Sequence, residues 1–179
     1  MARVAQGDAR AFRALSDAHL KPVYVYLTRL LHSEAEAQDV AQETFLRVWQ
    51  NASSYQPKAR ITTWIHAIAR HLAIDRLRRR KTTGEHFEFD DERDLVPRSD
   101  RPSELLEKKT TAQLVAQAIA RLPERQQSAL LLCHEQGLSQ PEIAVVLECT
   151  VDAVESLLKR ARSTLREQLQ SLNTTTETP

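Results

Sequence analysis

The sequence has few of the residues that mark β-rich, disulfide-stapled or membrane-inserted proteins. It contains 179 residues, of which only three are glycine and two are cysteine, and aromatic residues make up 5%. Cys133 and Cys149 form neither a metal-ligand spacing nor a disulfide framework, which favours a reducing compartment. No apolar run approaches the roughly 18 residues of a membrane span, and the N-terminus lacks the apolar segment of a secretory signal. We therefore expect a cytoplasmic protein that is not inserted in a membrane.

Side-chain arrangements typical of enzymes are also missing from the sequence. There is no Ser/His/Asp set, no pair of carboxylates at a catalytic spacing and no glycine-rich phosphate loop. The adjacent Cys133 and His134 would point in different directions on a helix, so they do not make a nucleophile and its base. We therefore predict no catalytic residue, no metal ligand and no cofactor, and a protein that is not an enzyme.

The chain is instead rich in helix-forming residues, chiefly Ala, Leu, Arg, Glu and Gln. Hydrophobic residues make up 41%, enough for real cores, and the composition predicts an all-α fold of two small domains. Asp8 is suited to cap a first helix, Pro22 to open a second, and a capping box that starts at Ser33 to open a third. The N-terminal helices are predicted to span about 9–19, 22–31, 34–50 and 61–81.

Charge is distributed unevenly along the chain, although the net charge is only +1. Residues 60–81 contain seven Arg or Lys and one Asp, whereas residues 82–107 contain nine Asp or Glu and three Arg. A strongly basic helix followed by an acidic stretch indicates nucleic-acid binding or, equally, a solvated charged surface. Residues 82–103 contain one glycine and two prolines without helical periodicity, and are predicted to form a flexible acidic linker.

The C-terminal part carries the pattern of a helix-turn-helix. After helices over about 104–121 and 124–136, a second capping box begins at Ser139, and Thr150 caps the following helix. That last helix is amphipathic, with a predicted apolar stripe of Val151, Val154, Leu158, Ala161 and Leu165. Toward a DNA major groove it would present Asp152, Ala153, Glu155, Ser156, Lys159 and Arg160. By pattern alone, an ordinary helical hairpin remains the alternative.

Two groups of short motifs lie on either side of the predicted linker. The first group comprises AEAQDVAQETFLRVW (35–49), TWIHAIAR (63–70) and DRLRRR (75–80). The second comprises LPERQ (122–126), GLS (137–139), EIA (142–144) and KRAR (159–162). In residues, order and spacing they resemble the extracytoplasmic-function (ECF) class of sigma factors in the sigma-70 family. The resemblance covers nearly the whole chain apart from the linker and the tail.

The resemblance implies a division of the chain and a set of partners. Residues 1–81 would form sigma region 2, residues 82–103 the linker, residues 104–172 region 4 with the helix-turn-helix, and residues 173–179 a disordered tail. Such a protein would direct core RNA polymerase to specific promoters, bind double-stranded and melted promoter DNA, and be held inactive by an anti-sigma factor.

The resemblance also implies roles for individual side chains. One face of the third helix would grip the clamp helices of polymerase, through Asp39, Gln42, Glu43, Leu46 and Gln50. The −10 promoter element would be bound by Asn51, Ser53, Tyr55, Arg60, Trp64, Arg70, His71, Arg76, Arg78, Arg79, Arg80 and Lys81. The −35 element would be bound by Asp152, Ala153, Glu155, Ser156, Lys159, Arg160 and Arg162.

Helical phase qualifies two of these assignments. Trp64 is in phase with the buried side of its helix, so it is favoured as a core residue that could also brace the melted junction. The arginines from Arg76 to Arg80 lie beyond the last apolar residue expected to be buried. They are therefore expected to be dispensable for the core.

Several positions depart from the pattern of the family. His71 stands where relatives often have Asn, and Glu155 and Leu157 stand where the recognition helix is often basic. The start of that helix would therefore hold phosphate weakly, and its cations would lie at Lys159–Arg166. Glu155 could accept a hydrogen bond from a cytosine amino group.

Two other functions compete with a sigma factor. One is a sigma-like decoy that binds an anti-sigma factor and never binds DNA, which the weakly basic recognition helix favours slightly. The basic helix at 76–81 and the docking face argue against it. The other is a conventional helix-turn-helix regulator, which would not need the first 100 residues in this form.

Overall fold

A computed structural model describes the backbone of residues 1–83 and 104–175 and the side chains of residues 1–82 and 112–170. These residues form helices without any strand, which confirms the predicted all-α class. No described helix combines the length and the low charge needed to cross a membrane. The helices are α1 (Ala2–Ala5), α2 (Ala9–Leu31), α3 (Glu34–Gln50), α4 (Ile61–Thr83), α5 (Glu104–Ala120), α6 (Glu124–His134), α7 (Gln140–Leu147) and α8 (Val151–Thr175).

Helix α2 corrects the prediction of two separate helices before residue 32. Asp8 caps it as expected, with its carboxylate accepting from the backbone N–H groups of Arg10 and Ala11. Pro22 nevertheless lies inside one continuous helix. Proline removes one backbone hydrogen bond, but the carbonyl left over belongs to the exposed Ala18, where water can satisfy it. The short α1 was not predicted.

The N-terminal domain is built from α2, α3 and α4, which pack on one another. Ser33 caps α3 as predicted, because its hydroxyl accepts from the N–H of Glu36 at 3.3 Å. Alanines at the helix contacts, including Ala41 and Ala69, are fully buried and let the backbones approach closely. The large buried side chains of this core include Leu27, Leu30, Leu31 and Ile65.

The C-terminal domain contains the predicted helix-turn-helix, made of α7 and α8. Before it, α6 ends at His134, and in the turn that follows, Gly137 takes a φ of 62° and the N–H of Leu138 donates to the carbonyl of Leu132 at 3.0 Å. Such a turn needs the left-handed conformation that glycine adopts without strain. Ser139 and Thr150 cap α7 and α8 respectively, as the sequence predicted.

The buried stripe of α8 differs at two positions from the predicted one. Val151 is 41% exposed, because it lies in the first turn of the helix, at the edge of the domain. Leu157, which stands at a position that is often basic in relatives and was left out of the predicted stripe, is buried with Val154, Leu158 and Ala161. These four residues are spaced by three, one and three positions, which is the spacing of one helix face.

The two domains meet along α2 and α4 on one side and α6 and α7 on the other. One hydrophobic cluster contains Leu27 and Ile65 of the first domain together with Leu131, Leu132 and Ile143 of the second. The predicted linker falls on residues 82–103, of which α4 includes 82 and 83 and the rest lie outside the described residues. Of the predicted disordered tail, 173–175 continue α8, which is a correction, and 176–179 lie outside.

Candidate docking and nucleic-acid surfaces

The outer face of α3 presents a leucine among polar side chains. Leu46 is 49% exposed and is one of four exposed large apolar residues among those whose side chains are described. Around it, Asp39, Gln42 and Gln50 are exposed, and Glu43 is half-buried in an ion pair with Arg47 at 2.9 Å. The predicted docking residues therefore share one accessible face, with an apolar contact surrounded by acidic and amide groups.

In the loop between α3 and α4, some side chains that were predicted to contact DNA form hydrogen bonds within the protein. The side-chain amide of Asn51 donates to the carbonyl of Arg47 in the last turn of α3. The Ser53 side chain is exposed. The hydroxyl of Tyr55 donates to the carbonyl of Ala59 at 2.8 Å. Its ring meets Trp64 edge to face at 5.3 Å between centroids. The Trp64 ring is itself half-buried against the core, as its helical phase predicted.

The arginines near the end of α4 are not equivalent, and for Arg80 the expectation of dispensability is wrong. Its side chain is only 11% exposed, forms an ion pair with Glu36 and donates to the carbonyl of Leu31 at 2.9 Å. That carbonyl lies at the C-terminus of α2, where unsatisfied oxygens attract cations. Arg76 lies between Glu36 and Asp39, with its guanidinium 3.5 Å from the latter carboxylate.

The other cations of this segment face solvent. The Arg78 side chain is 77% exposed, and Arg79 and Lys81 are also exposed. His71 is 65% exposed and lies 3.5 Å from the carboxylate of Asp75. The basic helix therefore offers an outward row of cations at its end, beside two arginines that hold the domain together.

Two predicted DNA-binding arginines lie within ion-pair distance of the C-terminal domain: Arg70 is largely removed from solvent, whereas the Arg60 side chain is 69% exposed. The Arg70 side chain is 14% exposed, and its guanidinium donates to the carboxylate of Glu124 at 2.8 Å. Arg60 lies 3.5 Å from Glu142, which also accepts a hydrogen bond from the hydroxyl of Thr63 at 3.1 Å. The Ser139 hydroxyl and backbone N–H donate to the same carboxylate, and these bonds lower the pKa of Glu142.

The outer face of α8 is open to solvent. Its predicted DNA-facing side chains are exposed except for Ala153, which is half-buried; they are Asp152, Glu155, Ser156, Lys159, Arg160 and Arg162. The guanidinium of Arg160 donates to the backbone carbonyl of Ser156 at 3.2 Å. It is α7 that packs on α4, so the domain contact leaves this face accessible.

Sequence reasoning missed a set of buried polar residues between the domains. Tyr26 and Ser128 share a hydrogen bond of 3.0 Å, and both are fully buried. Gln127 donates to the carbonyl of Arg29, whose guanidinium pairs with Glu135 at 2.6 Å. The available signal was a polar residue in phase with an apolar stripe, as for Tyr26, but nothing in the sequence identifies its distant partner. Cys133 and Cys149 are half-buried against the core.

Two family models match this chain, one in its N-terminal part and one in its C-terminal part. The family model for sigma-70 region 2 matches residues 15–83, and the model for sigma-70 region 4 matches residues 112–165. The chain is 29% identical to the ECF sigma factor SigW of Bacillus subtilis over 95% of both chains. It is 32% identical to the sigma-H factor of Pseudomonas aeruginosa, over 95% of this chain and 92% of that one.

A solved structure has the same fold. It contains the sigma factor RpoE of Bartonella quintana in complex with the anti-sigma factor NepR, and its TM-score with this chain is 0.74. The match covers 90% of this chain and 98% of that one at 21% identity.

Proposed function

This chain belongs to the ECF sigma factors of the sigma-70 family, and we propose that it directs core RNA polymerase to specific promoters. One observation carries the proposal: an accessible docking face on α3 and an accessible helix-turn-helix face on α8 occur in one chain. Such a protein is an initiation factor and not an enzyme. It acts in the cytoplasm, where its polymerase and its promoters are.

Docking is proposed for the face of α3 around Leu46. In the family this face meets the clamp helices of the largest polymerase subunit, a basic coiled coil. Acidic side chains at Asp39 and Glu43 would steer the encounter, and the exposed leucine would supply the apolar contact at its centre. The remaining members of the proposed docking set are Gln42 and Gln50.

Binding and melting of the −10 element are proposed for the loop after α3 and for α4. The exposed cations Arg78, Arg79 and Lys81 would neutralise phosphates and release their counterions. An unstacked base needs a pocket with groups that read its edge, and Asn51 and Ser53 are the accessible loop side chains for this task. The −10 set also keeps Tyr55, Arg60, Trp64, Arg70, His71, Arg76 and Arg80 as proposed contacts.

Recognition of the −35 element is proposed for α8. Its first turns present Asp152, Glu155 and Ser156, which are suited to reading base edges, whereas Lys159, Arg160 and Arg162 are suited to binding phosphates. Ala153 would contact a base through its methyl group. Residues 82–103 would then be an acidic linker between a region 2 domain over 1–81 and a region 4 domain over 104–172.

An anti-sigma factor is the proposed inhibitory partner. The structural relative RpoE was solved with the anti-sigma factor NepR, and an inhibitor of this kind would cover the same DNA-binding surfaces here. The inducing signal would then act on that partner. Cys133 and Cys149 are half-buried core residues, so they are not proposed as sensors.

Transcription by purified core polymerase on a promoter library tests the function. We expect the chain to confer initiation at a limited set of promoters that core polymerase alone ignores. Tight binding to core polymerase without initiation at any promoter would contradict the proposal and favour the decoy. A conventional regulator would not bind core polymerase through α3.

The docking face is tested by charge reversal. We expect the double variant Asp39→Lys, Glu43→Lys to bind core polymerase at least about tenfold more weakly, equivalent to about 1.4 kcal/mol, with a changed salt dependence. Binding is measured by fluorescence anisotropy at low and moderate salt, and circular dichroism checks the fold. Glu34→Lys is the matched control, since Glu34 is an exposed acid of the same helix outside the face. Equal binding by the double variant and wild type at low salt would mean that the face is misassigned.

A further inference from the structure

Helix α1 lies against the loop that is proposed to read the −10 element. It packs on the short helical turn Ala52–Ser54 of that loop and on α2. Val4 is the buried residue of α1, at 3% exposure, and Ala52 is the buried residue of the turn, at 4%. Each element therefore buries one apolar side chain where the two pack together.

Local hydrogen bonds hold α1 in this position. Gly7 turns the chain between α1 and α2 with a φ of 81°, which glycine adopts without strain. Its N–H donates to the carbonyl of Val4 at 2.9 Å, and the N–H of Asp8 donates to the carbonyl of Arg3 at 3.0 Å. The Arg3 guanidinium also donates to the Asp8 carboxylate at 2.8 Å. The residue that caps α2 therefore holds α1 as well.

A ring contact fixes the neighbouring corner of the domain. Phe12 of α2 meets Trp49 of α3 edge to face, with 5.0 Å between the ring centroids. Trp49 lies two residues before Asn51, the residue that follows α3 and opens the loop. The corner between α1 and α2 is thus held beside the point where the chain leaves α3.

The turn itself is held by short-range backbone bonds. The N–H of Ser54 donates to the carbonyl of Asn51 at 3.0 Å, and the N–H of Tyr55 donates to the carbonyl of Ala52 at 3.4 Å. Asn51 and Ser53, the accessible side chains proposed to read a base, precede and follow Ala52 in the sequence. Because the turn buries a single side chain, the contact that covers Ala52 decides how firmly its two neighbours are held.

From these contacts we propose that α1 braces the loop that reads the −10 element, with Val4 as a positioning residue for base reading. The inference rests on the proposed function, since it takes Asn51 and Ser53 as the groups that read the base. The brace lies outside the part of the chain that the region 2 model matches, which begins at residue 15.

The physical reason is that reading a base edge demands a rigid site. Functional groups must be held within about 0.5 Å of the productive geometry by the residues that support them. A loop without its brace would adapt to a wrong base, so the difference in affinity between right and wrong bases would shrink. Phosphate contacts on α4 and α8 would be unaffected.

The first test measures hydrogen exchange of the full-length chain without polymerase, read by nuclear magnetic resonance. In Val4→Ala we expect the amides of Ser54 and Tyr55 to exchange about tenfold faster, because the lost methyl groups leave a cavity beside the turn. The matched control is Val145→Ala, which removes the same atoms from a side chain that is 53% exposed on α7. Unchanged exchange in Val4→Ala, or an equal acceleration throughout α2 and α3, would overturn the brace.

A second variant reaches α1 by a different route. A Cβ at Gly7 would meet no atom within 4 Å, so Gly7→Ala strains the backbone of the turn without creating a clash or a cavity. We expect it to loosen the same two amides, Ser54 and Tyr55. If Val4→Ala loses helical content by circular dichroism, Gly7→Ala carries both tests.

The second test scores initiation by holoenzyme on a library of −10 sequences. Val4→Ala and Gly7→Ala should reduce the ratio between preferred and disfavoured bases by about threefold, a part of the discrimination that one base contact provides. Val4→Ile keeps a branched apolar side chain and should restore the ratio, and −35 preferences should not change. A contact that only stabilises the domain would instead lower initiation at every promoter alike, and that result would overturn the proposal.

The two tests separate this inference from the proposed function. If wild type initiates and both variants keep its −10 ratios, the brace is overturned and the function stands. If wild type never initiates with core polymerase, the proposed function fails and base reading falls with it. Faster exchange in Val4→Ala would then identify α1 as a structural support of the loop alone.

Discussion

At the scale of single residues, neighbouring arginines on α4 have different physical surroundings. Arg78 extends into solvent near Asp75, where an ion pair is weakened by water and salt. Arg80, two residues later, reaches the buried side and contacts both Glu36 and the end of α2. Arginines of one basic run therefore have different roles: Arg78 belongs to a surface suited to phosphates, whereas Arg80 forms a structural contact.

This difference can be measured by stability. We expect Arg80→Ala to lower the free energy of unfolding by about 2 kcal/mol, because it removes the shielded ion pair with Glu36 and the donor to the Leu31 carbonyl. Arg78→Ala should change it by less than about 0.5 kcal/mol. Urea unfolding followed by circular dichroism gives both values. Similar effects of the two substitutions would contradict the structural role of Arg80.

At the scale of the helices, the sequence was most informative about where each helix begins. Capping residues at Asp8, Ser33, Ser139 and Thr150 placed four helix starts correctly, because a cap satisfies backbone groups within three residues of itself. The same local reasoning failed at Pro22, where packing of the flanking residues outweighs one missing hydrogen bond.

Helix α8 shows how helical phase corrects a motif-based assignment. Leu157 stands at a position that is often basic in the family yet is buried, whereas Val151 was placed in the apolar stripe yet is exposed. A one-position uncertainty in phase turns a side chain by about 100°, which is enough to exchange the core for the solvent. The remaining exposed positions keep their proposed roles.

Substitutions on α8 should separate base reading from phosphate binding. We expect Glu155→Ala and Ser156→Ala to change which −35 sequence is preferred, at about 1–3 kcal/mol for each lost base contact. Lys159→Ala and Arg160→Ala should weaken all promoters alike. The measurement is transcription by holoenzyme on a −35 library. Leu157→Ala is the contrasting control and should act through stability, at about 2–5 kcal/mol. A uniform loss from Glu155→Ala would argue against base reading.

At the scale of the whole molecule, sequence patterns could not predict the contacts between the domains. Tyr26 and Ser128 are 102 positions apart, and Arg70 and Glu124 are 54 apart. Periodicity shows that a face is buried but not what covers it. Sequence patterns could therefore identify neither the partner of Arg70 nor that of Arg60, because both partners belong to the other domain.

Burial of His66 on α4, beside Tyr26, makes the fold sensitive to acid. Its Nδ1 bonds the carbonyl of Thr62 at 2.8 Å, and its ring meets Tyr26 at 5.6 Å. Burial lowers the pKa of His66; the bonds to Thr62 and Gln136 oppose this effect, and the nearby His19 adds to it. The neutral form is therefore favoured in the fold. Stability from His66 is complete above about pH 6.5 and is lost as pH falls toward the lowered pKa.

We expect the unfolding free energy of wild type to fall more steeply between pH 7 and 5 than that of His66→Gln. Because the other titratable groups are the same in both proteins, the difference between the two pH slopes reports the contribution of His66. The pKa of Glu142 is lowered, so its contribution is lost only below about pH 4.5. The raised pKa of Glu135 acts in the opposite direction on acidification. Urea titrations at each pH provide the measurement, and parallel profiles would show that His66 does not titrate in this range.

Because α2 continues through Pro22 without a break, a single helix contacts both domains. One side of the helix buries Leu27 and Leu31 in the first domain, while Tyr26 and Arg29 meet residues of the second. A fragment that ends at the linker would uncover the Tyr26 and His66 side chains together with the apolar surface around Ile65. Such a fragment would expose this apolar surface to solvent and tend to self-associate.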